Sequence, residues 1–235
     1  MPPTQGQPGE RAVSRVDRVY EELQAGIISG ELAPGTPLRH QELSDAYGVS
    51  LIPIREAIRK LEMERLVESI PNRGARVAPI SIEDLQDAYA TRMAIEGEAL
   101  RKAVDNVTPA QLAQMRSWRH EMASNVQRRN EAFYELHRQL HFQMYESSGS
   151  AWLVHTIEIL WRHTERYRHL AARMKPFVEV GDDLHGHILD AIETGDADAA
   201  VAALHRDLQR TADLVADAYC SGEAAADPRI QLRSD

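Results

Sequence analysis

Nine of the ten histidines in this 235-residue chain lie beyond residue 119. Histidine is the side chain best suited to bind a metal or move a proton near neutral pH. His137 and His141 are four apart and so share one side of a helix. Both flank the apolar stripe set by Phe133, Leu140 and Met144, and His185 flanks Leu184, Ile188 and Ile192 in the same way. Asp207 falls on the inward stripe of Leu204, Leu208 and Thr211. A carboxylate buried there needs a cation or a donor. His205 points to another side and is expected at solvent. Arg92 stands at the centre of an inward helix face with Leu85, Ala88, Ala99 and Ala103, and Glu96 follows one turn on. That guanidinium either pairs with Glu96 internally or receives a ligand carboxylate bidentately. Thr164 and Tyr167 also face inward and could complete such a pocket. All these groups could equally line a wet cavity, and His120, His155, His163, His169 and His187 read as ordinary polar positions.

Hydrolytic chemistry is disfavoured. His137-Arg138-Gln139-Leu140-His141 has the two-histidine spacing of a zinc-protease helix, but Arg138 stands where the general base would be. No Gly-rich phosphate loop is present, and no Ser or Cys sits in a nucleophile setting. No catalytic residue is assigned, so the chain is not expected to be an enzyme. A helical metalloenzyme or metal-binding protein remains the alternative.

To act together these groups must be delivered by helices. Beyond residue 80 the spacing predicts helices over 82–105, 109–127, 129–147, 150–174, 181–194 and 196–218. Ser81 caps the first, Thr108-Pro109-Ala110-Gln111 opens the second as a capping box with proline at N1, and Thr194-Gly195-Asp196 turns the fifth into the sixth. With no strand pattern, this half is expected to be an antiparallel helical bundle.

The first half reads differently. A helix over 14–29 turns Val16, Val19, Tyr20, Leu23, Ile27 and Ile28 inward. Gln41 to Tyr47 is a short helix with Leu43, Ala46 and Tyr47 as apolar positions, closed by Gly48. Ser50 supplies an N-cap hydroxyl and Pro53 sits in the first turn of the next helix. There Ile54, Ala57, Ile58 and Leu61 are buried, while Ile52, Arg55 and Arg59 face out. Strands over 66–70 and 75–78, joined by Pro71-Asn72-Arg73-Gly74, make a wing. Helix, loop, helix, helix, hairpin describes a winged helix-turn-helix. The fold class is therefore mainly α: a winged helix-turn-helix at 11–79, then a helical bundle at 80–218. Residues 1–10 are expected to be a disordered tail and 219–235 a polar one.

Residues 1–80 hold 10 Lys and Arg against 11 Asp and Glu, so of the net charge of −9 only −1 lies there and −8 follows. DNA attraction must then come from the placement of a few arginines. The single cysteine, Cys220, excludes an internal disulfide and suits a reducing cytoplasm. No apolar run approaches the roughly 20 residues of a membrane span, and the start resembles neither a signal nor a transit peptide.

SGELAPGTPL, ELSDAYGVS, IPIREAIRKLE and PNRGARVAP, spanning about residues 16 to 80, resemble the DNA-binding domain of the GntR family of bacterial regulators. ATRMAIE, FYELHRQLHFQMYESSGS and HGHILDAIETGDADAA resemble the all-helical effector (FCD) domain of its FadR-type branch. The resemblance implies a dimeric, ligand-responsive regulator, a repressor, on a two-fold symmetric double-stranded DNA operator. Residues Arg39, Ser50, Leu51, Ile52, Arg55, Arg59, Asn72, Arg73 and Gly74 are then expected at DNA. Leu51 stands where relatives commonly carry a base-reading arginine. Relatives often hold a divalent metal through an Asp, a His four residues later and two further His. Here those positions are His137, His141, His185 and Asp207, an exchange at both ends that keeps three imidazoles and one carboxylate. That set suits zinc, nickel, manganese or iron. A small carboxylate effector is implied beside it, at Arg92, Glu96, Thr164 and Tyr167.

Overall fold

The computed structural model describes residues 14–70, 74–125, 131–174 and 183–220. Two compact units divide between Pro79 and Ile80.

In the first unit α1 (Arg15–Ser29) starts on Ser14, whose hydroxyl accepts from the Asp17 amide. α2 (His40–Tyr47) ends on Gly48 at φ 62°, a left-handed turn that glycine adopts without strain. α3 (Leu51–Met63) follows after two residues. Ser50 has the extended backbone of an N-cap but its side chain makes no capping bond, contrary to expectation. The serine that does secure this corner is Ser44, which donates to the Val49 carbonyl at 2.6 Å. Ala46, expected inside, is exposed, and buried Ser44 takes the inner position on that helix.

α1 packs on α3, and Val19, Leu23, Ile27, Ile54, Ala57, Ile58 and Leu61 make the core with Leu38, Leu66, Val67, Ala75 and Val77. Burying each large aliphatic side chain contributes roughly 1.5–3 kcal/mol. β2 (Val67–Ile70) pairs antiparallel with β3 (Gly74–Val77), the hairpin of the wing. Its far edge carries a strand absent from the sequence reading, β1 (Pro37–Leu38), so the order is β1-β3-β2. Two residues between a glycine and a polar turn carry too little pattern to announce a strand.

The described residues of the second unit form a bundle of α4 (Ile82–Ala103), α5 (Pro109–Asn125), α6 (Glu131–Glu146), α7 (Ala151–Met174), α8 (Leu184–Thr194) and α9 (Ala197–Cys220). Ser81 caps α4 through the Asp84 amide. At α5 Thr108 and Gln111 satisfy each other's amides reciprocally, the capping box its sequence announced. α4 lies against α6, α7 and α9, α8 against α9 and α5, and α5 against α6. α9 runs past residue 218, because Tyr219 continues the stripe of Leu208, Ala212 and Val215 and is buried. No helix among the described residues is long and apolar enough to cross a membrane.

Candidate functional site

Each unit carries its own set of candidate side chains. In the first, the stripe Ile54, Ala57, Ile58 and Leu61 turns inward, which leaves Arg55 and Arg59 exposed on the opposite face. Ile52, at the start of the same face, is 72% exposed. Leu51 is half-buried beside exposed Ser50. An exposed isoleucine one turn ahead of two arginines suits contact with a base edge, where thymine methyls offer apolar surface. Arg39 precedes α2 and pairs with Glu42 at 2.7 Å, a solvent-exposed bridge. Gly74 at the wing has φ 85°. Asn72 and Arg73 lie outside the described residues.

In the second unit α6, α8 and α9 bring His137, His141, His185 and Asp207 together, with one potential ligand atom from each all within 4.8 Å of one another. His141 Nε2 lies 3.1 Å from His185 Nε2. Asp207 oxygens lie 3.7 Å from the first nitrogen and 3.9 Å from the second. Two nitrogens held at about 2.0–2.1 Å from one ion, at octahedral or tetrahedral angles, sit roughly 2.9–3.4 Å apart, so the imidazole spacing fits a shared cation. Burial, aided by the charges of His185, Arg92 and Arg168, holds the His141 pKa well below its ordinary range. Burial, then Arg168 and His141, does the same for His137. Neutral imidazoles are the form that binds metals. His137 Nδ1 is buried without a hydrogen-bond partner. A small cleft lined by Asp183, His185, Asp207, Arg210 and Thr211 opens beside two of the donors. The donor set therefore fits a divalent metal.

Behind the donors runs a buried polar chain. His141 Nδ1 and the Tyr145 hydroxyl are 2.9 Å apart, and Tyr145 donates to Glu96 Oε2 at 2.5 Å. The other Glu96 oxygen accepts from Arg92 Nε at 2.6 Å, and Arg92 also donates to Thr164 Oγ1 at 3.0 Å. Arg92 thus takes up the internal pairing that was one of its two readings. Burial works against its charge, but Glu96 beside it raises the guanidinium pKa above its ordinary value. Its guanidinium carbon lies 4.8 Å from the ring centres of both Tyr89 and Trp161.

Two residues have partners that the sequence did not announce. Tyr167 is buried but donates to Asp84 at 2.9 Å, not to Arg92. It belongs to a separate cluster in which His163 Nε2 lies 2.7 Å from Asp84. The His163 bond holds the Asp84 carboxyl well below the usual carboxylate range, and burial pushes the Tyr167 hydroxyl up to about 12. His205, expected at solvent, is half-buried: its Nε2 bonds the Met93 carbonyl at 2.9 Å. Gly97 leaves it room, since a Cβ there would stand 2.8 Å from that nitrogen.

Sequence reasoning passed over Tyr145, Trp161 and Arg168. Tyr145 extends the four-residue step from His137 through His141, a spacing that could have found it. The Trp161 ring lies 5.5 Å from His137 and 5.3 Å from His141. Arg168, one turn beyond Thr164, is 9% exposed and lies beside the Tyr134 and Trp161 rings. No carboxylate pairs with it among the described residues. Arg138, by contrast, reaches Glu158 at 3.3 Å and stacks on Phe142, so no base stands beside the histidines in its place.

Comparison with known proteins adds the following. Residues 15–77 match the bacterial regulatory proteins of the gntR family, and residues 87–210 match the FCD domain. The chain is 30% identical over 210 residues to the HTH-type transcriptional regulator BphR of Paraburkholderia xenovorans, covering 86% of this chain and 85% of that one. It is 29% identical over 199 residues to the HTH-type transcriptional repressor RspR of Escherichia coli, covering 84% and 87%. Among solved structures, McbR/YncC of E. coli superposes with a TM-score of 0.71 at 22% identity, over 88% of this chain and 99% of that one, a likeness of fold.

Proposed function

The chain is a DNA-binding transcriptional regulator of the bacterial gntR family with an FCD domain, and on that premise we propose that it is a metal-assisted, ligand-responsive repressor. Two copies read a palindromic operator through their winged units, and their helical units dimerise in the cytoplasm. The outward face of α3 carries the DNA half of this reading. Arg55 and Arg59 meet phosphates or base edges in the major groove, Ile52 and Leu51 give apolar contacts, and Arg39, Ser50, Asn72, Arg73 and Gly74 flank them along the backbone. The acidic balance of the chain outside these few arginines keeps non-specific affinity modest.

In the helical unit His137, His141, His185 and Asp207 would hold a divalent metal such as zinc, nickel, manganese or iron. Such an ion supplies Lewis-acid charge to which a carboxylate can bind. The support is the convergence of four buried or half-buried donors on one point, with His137 and His141 held neutral by burial and one nitrogen orphaned. Arg92 and Arg168 place two guanidinium groups 4.8 and 5.9 Å from the centre of the Trp161 ring, which also lies beside His137 and His141. A small organic acid is the effector class that charge pattern suits. Glu96 and Thr164 hold Arg92 in place for it, whereas Tyr167 stands on Asp84 and contributes less directly. Binding there shifts the bundle and alters operator affinity.

The test is DNA binding to genomic fragments by gel shift, followed by anisotropy on the fragment retained. Arg55→Ala should weaken binding by roughly 5- to 150-fold, the equivalent of a lost contact of about 1–3 kcal/mol. Wild-type affinity in that variant, or no fragment shifted by the wild type, would refute the docking of α3.

A further inference from the structure

Metal-binding imidazoles need their second nitrogen held, because that bond fixes the tautomer and the ring orientation. We propose that Tyr145 and Glu96 are the positioning residues for His141, a buried chain anchored on Arg92 that presents His141 Nε2 as a bare lone pair to the metal. The proposal rests on the metal reading above.

The direction of the protons follows from the partners. Tyr145 meets a Glu96 carboxylate oxygen at 2.5 Å, and a carboxylate whose other oxygen is held by Arg92 can only accept there, so the Tyr145 hydroxyl is the donor. Glu96 is an acceptor on both oxygens: one takes the Arg92 Nε–H at 2.6 Å and the other takes the Tyr145 O–H at 2.5 Å. With its proton committed to Glu96, the Tyr145 oxygen can only accept from His141, 2.9 Å away. His141 must then carry its proton on Nδ1. Nε2 is left unprotonated, facing His185 Nε2 at 3.1 Å and Asp207 at 3.7 Å. Every member is buried: Glu96, His141 and Tyr145 are at 0% exposure and Arg92 at 2%. Water therefore offers no alternative partner that could turn the ring. The helix supplies the register, since Tyr145 follows His141 by four residues and Glu96 follows Arg92 by four.

The experiment measures zinc dissociation constants by competition with a chromophoric chelator for the full-length wild type, Tyr145→Phe, Glu96→Gln and the double variant. Tyr145→Phe removes one oxygen and keeps the ring, which lies 5.9 Å from that of Phe142. It should lose about 10- to 100-fold in zinc affinity. Glu96→Gln should lose a comparable factor, and the double variant no more than the worse single, because the parts act in series. In parallel, ¹⁵N NMR of the metal-free proteins should show His141 protonated on Nδ1 in the wild type and a mixture of tautomers in Tyr145→Phe. A merely structural role would leave the tautomer unmoved. Wild-type zinc affinity in Tyr145→Phe, multiplying losses in the double variant, or an Nε2-protonated His141 in the wild type would overturn the proposal. A wild type that takes up no metal would instead overturn the metal reading, and the tautomer measurement would still decide the role of Tyr145.

Discussion

Asp207→Asn should move the metal-free and the metal-loaded protein in opposite directions. Without metal, the Asp207 carboxylate is 9% exposed, and its oxygens stand 3.7 and 3.9 Å from the nearest imidazole nitrogens, beyond hydrogen-bond length. One of those imidazoles, His141, is held neutral by burial. A buried polar group left in that condition costs about 1–3 kcal/mol. Asparagine keeps the shape and removes the charge, so the metal-free variant should melt at the wild-type temperature or a few degrees above it. With metal the sign reverses. An ion at about 100 times its dissociation constant stabilises the wild type by about 2.7 kcal/mol. That corresponds to roughly 5–11 °C in a chain of this size. Loss of a carboxylate ligand weakens the ion at least tenfold, as much as losing an outer-shell partner does. The gain then falls to about 1.4 kcal/mol or less, roughly 3–6 °C. Calorimetry on chelator-treated and metal-replete samples of both proteins reads both effects. A metal-dependent gain in Asp207→Asn equal to that of the wild type would remove Asp207 from the ligand set. A metal-free variant melting well below the wild type would show that the carboxylate is compensated in the fold.

Three further outcomes are expected. Gly97→Ala places a Cβ 2.8 Å from His205 Nε2 and 3.3 Å from Val201 Cγ1. It should cost about 1–3 kcal/mol in denaturant unfolding, and an unchanged midpoint would show that His205 gives way freely. Asp84 has a folded pKa depressed by the His163 hydrogen bond, so its stabilisation is present above the ordinary carboxylate pKa of about 3.9 and fades as pH falls below it. The stability gap between wild type and Asp84→Asn should therefore hold steady to about pH 4 and narrow beneath; a gap that widens on acidification would contradict the pairing. Leu51→Arg should shift operator preference toward guanine at one base pair by about 1–3 kcal/mol, readable in a binding-site selection, and an unaltered preference would place Leu51 away from the bases.

Local signals carried much of the fold. Gly48, the Thr108 capping box and the stripe of Ile54, Ala57, Ile58 and Leu61 each reflect chemistry within a few residues, and each is visible in one dimension. What escaped depends on partners far along the chain. Ser50 looks like a capping residue because serine usually is one, but the corner is closed by Ser44 reaching Val49. The partners of His205 and Tyr167 were not legible because Met93 and Asp84 lie 112 and 83 residues away. The four donors in the helical unit were singled out by residue type and helical phase together with the family resemblance. Tyr145 was not: its four-residue step from His141 was there to be read, but only Glu96 placed opposite it gives its hydroxyl a role beyond packing. β1 has only two residues and exists because β3 presents an edge to it.

Trp161 turns the cluster into an optical probe. Its indole is 2% exposed, with its ring centre within 5.5 Å of two of the donor imidazoles, while Trp152 projects into solvent at 81% exposure. Its emission should be blue-shifted relative to that of exposed Trp152 and half-buried Trp118. Open-shell ions such as nickel, manganese or iron quench an excited indole at that range, whereas closed-shell zinc leaves it bright. The yield of one buried ring thus separates zinc from the open-shell metals that the donor chemistry leaves equivalent to it.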